Sequence, residues 1–212
     1  MNFKIKFAII KKQKVLRCVG TAEKTVFKGG KFMNIWHDIK PERVTPDKFI
    51  AVVEISGGSK VKYEMDKATG LLRMDRVLYT ATHYPANYGF LPLTYANDKD
   101  PLDVLVLASV NFVPMSMVEC YPIGVVIMED EGYRDEKIIA IPFTDPTYSS
   151  FQKIEDLPAH IMKELLHFFE VYKTLEGKAT AIGSVEGKEA AKEIIRQALA
   201  EYWQLRSEGK LG

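Results

Sequence analysis

The segment NDKDPLDVLVL, residues 97–107, sets three aspartates, Asp98, Asp100 and Asp103, within six residues and just ahead of an apolar run. Carboxylates this close repel one another, and burial strengthens the repulsion. Pro101 biases Asp100 towards extended backbone. Alternation along an extended chain then sets Asp98 and Asp100 on one side, with Asp103 turning back from the strand start. Such clustering becomes tolerable when divalent cations neutralise it, and magnesium takes oxygen ligands of this kind while keeping several waters. The expectation is a hard-metal site; the plain alternative is a solvated acidic loop.

A second acidic stretch, EDEGYRDEK at residues 129–137, carries Asp130 and Asp135 with Lys137 just beyond. Alone it reads as a polar turn between strands, and it lacks the spacing of an EF-hand. Facing the same cavity as the first, it would supply the further carboxylates that a site with several metals needs. Cations lie at fitting places. Lys62 and Glu64 share a strand face, Arg76 sits on the next strand, and Lys173 follows Tyr172 at a helix end. HYPANYGF, residues 83–90, adds Tyr84 and Tyr88, whose hydroxyls can donate to phosphate oxygens. Each residue taken singly is an ordinary surface charge or packing aromatic. Together they suit a metal-bound polyphosphate. There is no Walker A motif, so a P-loop nucleotide site is excluded.

The elements that must position these residues follow from pattern. KFIAVVEI (48–55), KVKYEM (60–65), LLRMDRVLY (71–79), LDVLVL (102–107), CYPIGVVIM (120–128) and KIIAI (137–141) read as strands. SGGS (56–59) reads as a hairpin turn between the first two, because paired glycines accept positive φ. KATG (67–70) is a further turn. One helix is expected from near Asp156, with Ile161, Leu165, Phe168, Phe169 and Tyr172 at helical spacing. A second is expected from about Gly187 to Ser207. Several short strands followed by two late helices predict a mainly β fold: a small barrel with flanking helices.

Composition narrows the partners. The chain has 212 residues, 47% of them apolar, and a net charge of +1. That total hides a split. Residues 1–32 hold nine Lys/Arg against Glu23 alone; the remainder holds 20 basic and 27 acidic residues. The basic segment is a poor signal peptide, since FAII is too short for an apolar core. It is a poor mitochondrial presequence too, having one arginine and no serine. It reads as an upstream extension ahead of a second start at Met33. No apolar run is long enough to span a membrane. Cys18 and Cys120 show no CxxC spacing, which fits reduced thiols in a cytoplasm. An OB-type barrel could bind single-stranded nucleic acid, but that function wants a basic groove, and this domain is acidic.

The motifs match a known family. From Met33 onward the chain resembles the family I soluble inorganic pyrophosphatases: DKDPLD fits the D-x-D-P-x-D signature, and VVEI, KYEMDK, MDR, YPANYG, DEGYRDEK and LHFFEVYK occur in family order. Residues 1–32 lie outside the likeness, and AIGSVEG stands where the family often carries a tryptophan. The resemblance implies a closed, OB-like, five-stranded barrel with two C-terminal helices over 33–212. It implies Mg²⁺-dependent hydrolysis of pyrophosphate by a metal-activated water. It makes Asp100 the general base, and Asp98, Asp103, Asp130 and Asp135 metal ligands. Glu54 and Glu64 would support metals through waters. Lys62, Arg76, Tyr84, Tyr88, Lys137, Tyr172 and Lys173 would serve the phosphoryl groups. It further implies a homohexamer, with His167 and the first helix as interface or, alternatively, as core.

Overall fold

The computed structural model of the chain describes residues 33–211. The basic segment 1–32, and Cys18 within it, lie outside the described residues. Among the described residues eight strands form: β1 (Phe49–Ile55), β2 (Val61–Met65), β3 (Leu72–Val77), β4 (Asn87–Phe90), β5 (Asp103–Val106), β6 (Met117–Asp130), β7 (Tyr133–Pro142) and β8 (Thr180–Gly187). The helices are α1 (Ala159–Val171) and α2 (Lys188–Ser207).

The sheet order β1-β4-β5-β7-β6 closes on itself, because β1 also pairs with β6, joining Phe49 to Cys120 and Val52 to Met117. This is the five-stranded barrel that the resemblance implied. β8 adds to β6 outside the ring, and β2 and β3 make a separate hairpin. β6 can serve three neighbours because it is 14 residues long and shifts register between Pro122 and Gly124, which bends it.

Strands β5 and β7 are buried on both faces, which explains their unbroken apolar runs. Side chains alternate between two cores. Val104, Val106, Ile138 and Ala140 pack with Ala191, Ile195 and Tyr202 of α2. Leu105, Leu107, Ile139 and Ile141 pack with Leu165, Phe168 and Phe169 of α1. Each fully buried Leu, Ile or Phe contributes about 1.5–3 kcal/mol. Gly89 of β4 is dictated by contact: a Cβ there would overlap the Val52 carbonyl of β1.

Three expectations need correction. SGGS is not a hairpin turn, although Gly58 does take φ +76°. β1 pairs with β4 and β6, while β2 pairs with β3. Two residues were enough to turn the chain, yet the apolar β1 gains more in the barrel wall than beside the amphipathic β2. Asp156 does not cap α1. Its carboxylate accepts from the Gln152 and Lys153 amides in the preceding turn, and Pro158 starts the helix. The polar stretch 129–136 turns only at Glu131 and Gly132; the rest is strand.

Candidate active site

The parallel pairing of β5 with β7 sets Asp103 beside Lys137 at the same end of the barrel. Lys137 Nζ donates to Asp103 Oδ2 at 2.7 Å, to Asp135 Oδ1 at 3.0 Å and to the Tyr88 hydroxyl at 3.2 Å. The Tyr88 hydroxyl in turn donates to Asp103. Asp135 shares a strand face with Lys137, two residues away on β7. The Lys137 side chain is 3% exposed, so its ammonium has left water and depends on these partners. Burial acts to lower its pKa, but the charges on Asp103 and Asp135 outweigh it and hold the ammonium protonated. Burial raises the Asp103 carboxyl, against the pull of Lys137.

The other acids surround this core. The Asp130 carboxylate, at the end of β6, accepts from Lys173 just past α1. Its second oxygen, Oδ1, is buried with no hydrogen-bond partner among the described residues. Glu54 of β1 accepts from the Met65 amide at 2.6 Å, and burial pushes its pKa up to about 8. Glu64 receives Lys62 at 2.7 Å and Arg73 at 3.2 Å. Burial also raises Asp98, helped by the charge on Asp135. The Tyr84 ring packs at a tilt against Phe168 and Tyr88 with ring centroids 4.9 and 5.4 Å away, and burial raises its hydroxyl and that of Tyr172.

The aspartate segment departs from the extended form expected of it. Lys99 has φ +70°, and the Asp100 amide donates to Asp98 Oδ1 at 3.1 Å. A tight Asx-type turn, rather than strand alternation, brings Asp98 and Asp100 to one side. The restriction that Pro101 puts on Asp100 leaves Lys99 free to turn.

These groups line one cavity of about 580 Å³. Of the residues expected at the site, Asp98, Asp100, Asp103, Asp130, Asp135, Glu54, Glu64, Lys62, Tyr84, Tyr88, Lys137, Tyr172 and Lys173 all line it. Arg76 does not. It stands opposite Lys62 in the hairpin, but its guanidinium bonds Glu176 at 3.0 Å and Asp75 at 2.6 Å. Lys67, Arg73 and Asp66 also line the cavity, although the sequence pattern assigned none of them a role. Asp66 and Lys67 close the KYEMDK motif, and Lys67 opens the KATG turn.

The charge of the lining decides what it can hold. Eight carboxylates face five cationic side chains. An excess of negative charge repels a polyphosphate and attracts a hard cation, and a buried carboxylate oxygen without a donor fits the same ion. Among the described residues, no three acids or imidazoles yet gather tightly around a point. Lys137, Lys173 and Lys67 stand between them, each holding carboxylates that a cation would otherwise draw together.

A metal-assisted hydrolase of phosphoanhydrides is the class this barrel and cavity suit. The inorganic pyrophosphatase family profile matches residues 51–203. The chain is 47% identical to soluble inorganic pyrophosphatase 2 of Chlamydomonas reinhardtii over 167 residues, which span 79% of this chain and 87% of that protein. Against soluble inorganic pyrophosphatase 1 of Arabidopsis thaliana the identity is 43%, over 79% of each chain. Among solved structures, the inorganic pyrophosphatase of Thermus thermophilus superposes with a TM-score of 0.77 at 37% identity, covering 80% of this chain and 99% of that one. That of Helicobacter pylori gives 0.73 at 45%, covering 76% and 96%. The chain belongs to the family I soluble inorganic pyrophosphatases, enzymes that hydrolyse pyrophosphate.

Proposed function

We propose that the chain hydrolyses inorganic pyrophosphate to two orthophosphates with Mg²⁺, by direct attack of water. The observation that carries the metal is the charge of the cavity: a net acidic lining around an unpartnered buried oxygen of Asp130 cannot by itself receive so anionic a substrate. Asp98, Asp103, Asp130 and Asp135 would hold Mg²⁺, with Glu54 and Glu64 supporting it through waters. Magnesium bound there would lower the pKa of a water from its bulk value of about 15.7 and cancel substrate charge.

The remaining work falls to the chain. Asp100 orients the attacking water and takes its proton, so it must reach the cavity, as its half-exposed carboxylate does. Lys62, Lys137 and Lys173 attract the phosphoryl oxygens, while Tyr84, Tyr88 and Tyr172 keep their hydroxyl protons and donate. Arg76 joins them by exchanging Glu176 for a phosphate. Such transfer demands positioning and charge stabilisation more than covalent chemistry, and no side chain is needed as a covalent nucleophile.

Among the described residues no helix is long and apolar enough to cross a membrane. A cytoplasmic enzyme and a homohexamer complete the reading, with residues 33–212 as the catalytic domain and 1–32 as an extension. The His167 side chain is 69% exposed, so it is available to such an interface. Phosphate release from pyrophosphate should require Mg²⁺, stop in chelator and far exceed release from ATP. Equal release with chelator would overturn the proposal; sedimentation tests the assembly.

A further inference from the structure

We infer that Lys67 is a positioning residue for Asp100, held over the cavity by Trp36; this rests on the reading of Asp100 as the general base. Lys67 sits in the β2–β3 turn, and its ammonium pairs with the Asp100 carboxylate from 33 residues away in sequence. The two side chains are 50% and 49% exposed. A surface pair of that kind does not by itself repay the rotamer freedom a lysine loses. Something else must preset this one.

The segment just before the barrel does so. Asn34 Nδ2 donates to the Lys67 carbonyl at 3.1 Å, which fixes the turn. The Lys67 ammonium lies over the Trp36 ring, 5.7 Å from its centre. Trp36 is itself buried, and its Nε1 donates to the Thr94 carbonyl at 2.9 Å. The Thr94 hydroxyl accepts from the Leu102 amide at 2.8 Å, inside the loop that carries Asp98 and Asp100. Both ends of the Lys67–Asp100 pair are thus referenced to one indole. Asn34 and Trp36 lie outside the stretch 51–203 matched by the family profile, so this anchor belongs to what surrounds the shared core.

Asp100 needs such a partner. Asp98 and Asp103 flank it in sequence, and Asp135 lines the same cavity. A fixed cation on the solvent side stops the carboxylate from rotating away from the water it must orient. Lys67 never meets the reacting atoms; it acts through Asp100.

The test compares Lys67→Gln, Lys67→Arg, Trp36→Leu and Lys99→Gln in the full chain, assayed on magnesium pyrophosphate. Lys67→Gln should lower kcat about tenfold with KM shifted less than about twofold, and Lys67→Arg should recover part of the loss. Trp36→Leu should fall between. Lys99→Gln, which removes a charge from the same loop, should stay near the parent. In an Asp100→Asn background Lys67→Gln should cost nothing more. A readout free of turnover uses the two tryptophans, Trp36 and Trp203. With Trp203→Phe, Trp36 emission should change alike on Lys67→Gln and on Asp100→Asn. An unchanged kcat, a rise in KM alone, or full additivity with Asp100→Asn would overturn the role. Loss of pyrophosphate hydrolysis in the parent would instead overturn the functional reading beneath it.

Discussion

The two halves of the cavity are built differently. On the barrel side, Lys137, Asp103, Asp135 and Tyr88 interlock on β4, β5 and β7, with Lys137 almost wholly buried. On the hairpin side, Lys62, Glu64 and Arg73 stand partly in water, with Arg73 63% exposed. Exposed pairs are each worth about 0–1 kcal/mol, so they exchange partners readily. A buried ammonium stripped of its carboxylates cannot do so. The barrel therefore supplies a fixed field, and the hairpin supplies groups free to trade a carboxylate for a phosphate.

Four experiments press on that contrast. Asp100→Asn should lower kcat by about 10²–10⁴ while leaving the Mg²⁺ titration largely in place, since its proposed role is proton transfer. Asp103→Asn should instead regain part of its activity at high Mg²⁺; the reverse pattern would exchange the two roles. Lys137→Met leaves Asp103 and Asp135 without their buried cation, and should cost about 3–5 kcal/mol of stability in denaturant titration. Arg73→Met on the hairpin should cost less than about 1 kcal/mol. Equal losses would erase the distinction between the halves.

Glu54 gives a pH signature. Its folded pKa of about 8 exceeds the ordinary value of 4.5, so the folded chain holds this proton more tightly than the unfolded one. Its contribution is complete below pH 4.5 and is lost as pH rises towards 8, at no more than about 1.4 kcal/mol per unit. In chelator, Glu54→Gln should flatten the fall of stability across that window; an unaltered slope would assign the effect elsewhere. The smallest effect concerns residues 1–32, which contribute none of the proposed site residues. A chain begun at Met33 should keep kcat/KM within about twofold, with any difference shrinking as salt screens a steering charge. Insolubility of that chain, or a large loss at every salt concentration, would make the segment integral to the fold.

Much of this was legible in the residues. Apolar runs located β1, β5, β6 and β7, because strands buried on two faces have no polar alternation to confuse them. Helix α2 followed from a stripe of Ala191, Ile194, Ile195, Ala198, Leu199 and Tyr202 at helical spacing, of which Ile194 and Leu199 are half-buried and the other four buried. β4 was missed because NYGF spans only four residues after Pro85 and owes its strand to neighbours on both sides. β8 was missed because TAIGSVEG is mostly exposed and contains two glycines. It forms by borrowing the edge of β6. At the site, the acidic clusters announced themselves through their mutual repulsion. Lys67 did not, since a lysine in a turn is ordinary until the fold sets Trp36 beneath it. The roles given to Glu54 and Arg76 came from family likeness, and only Glu54 reaches the cavity lining.

The pairing of β1 with β6 has a consequence for how the enzyme is made. The β6–β7 hairpin turns at Glu131–Gly132 and can form early from local contacts, carrying Asp130, Asp135 and Lys137 with it. Closing the ring must wait for Phe49 to find Cys120 across the intervening chain, a slow, entropically costly search. Until then the strand bearing Glu54 is held by β4 alone, and Tyr88 and Asp103 have only part of their frame. A chain whose ring is still open would hold the proposed metal ligands and base only in part. Ring closure should therefore be the step at which a nascent chain becomes able to hydrolyse pyrophosphate, so refolding followed by phosphate release should lag behind refolding followed by hairpin formation.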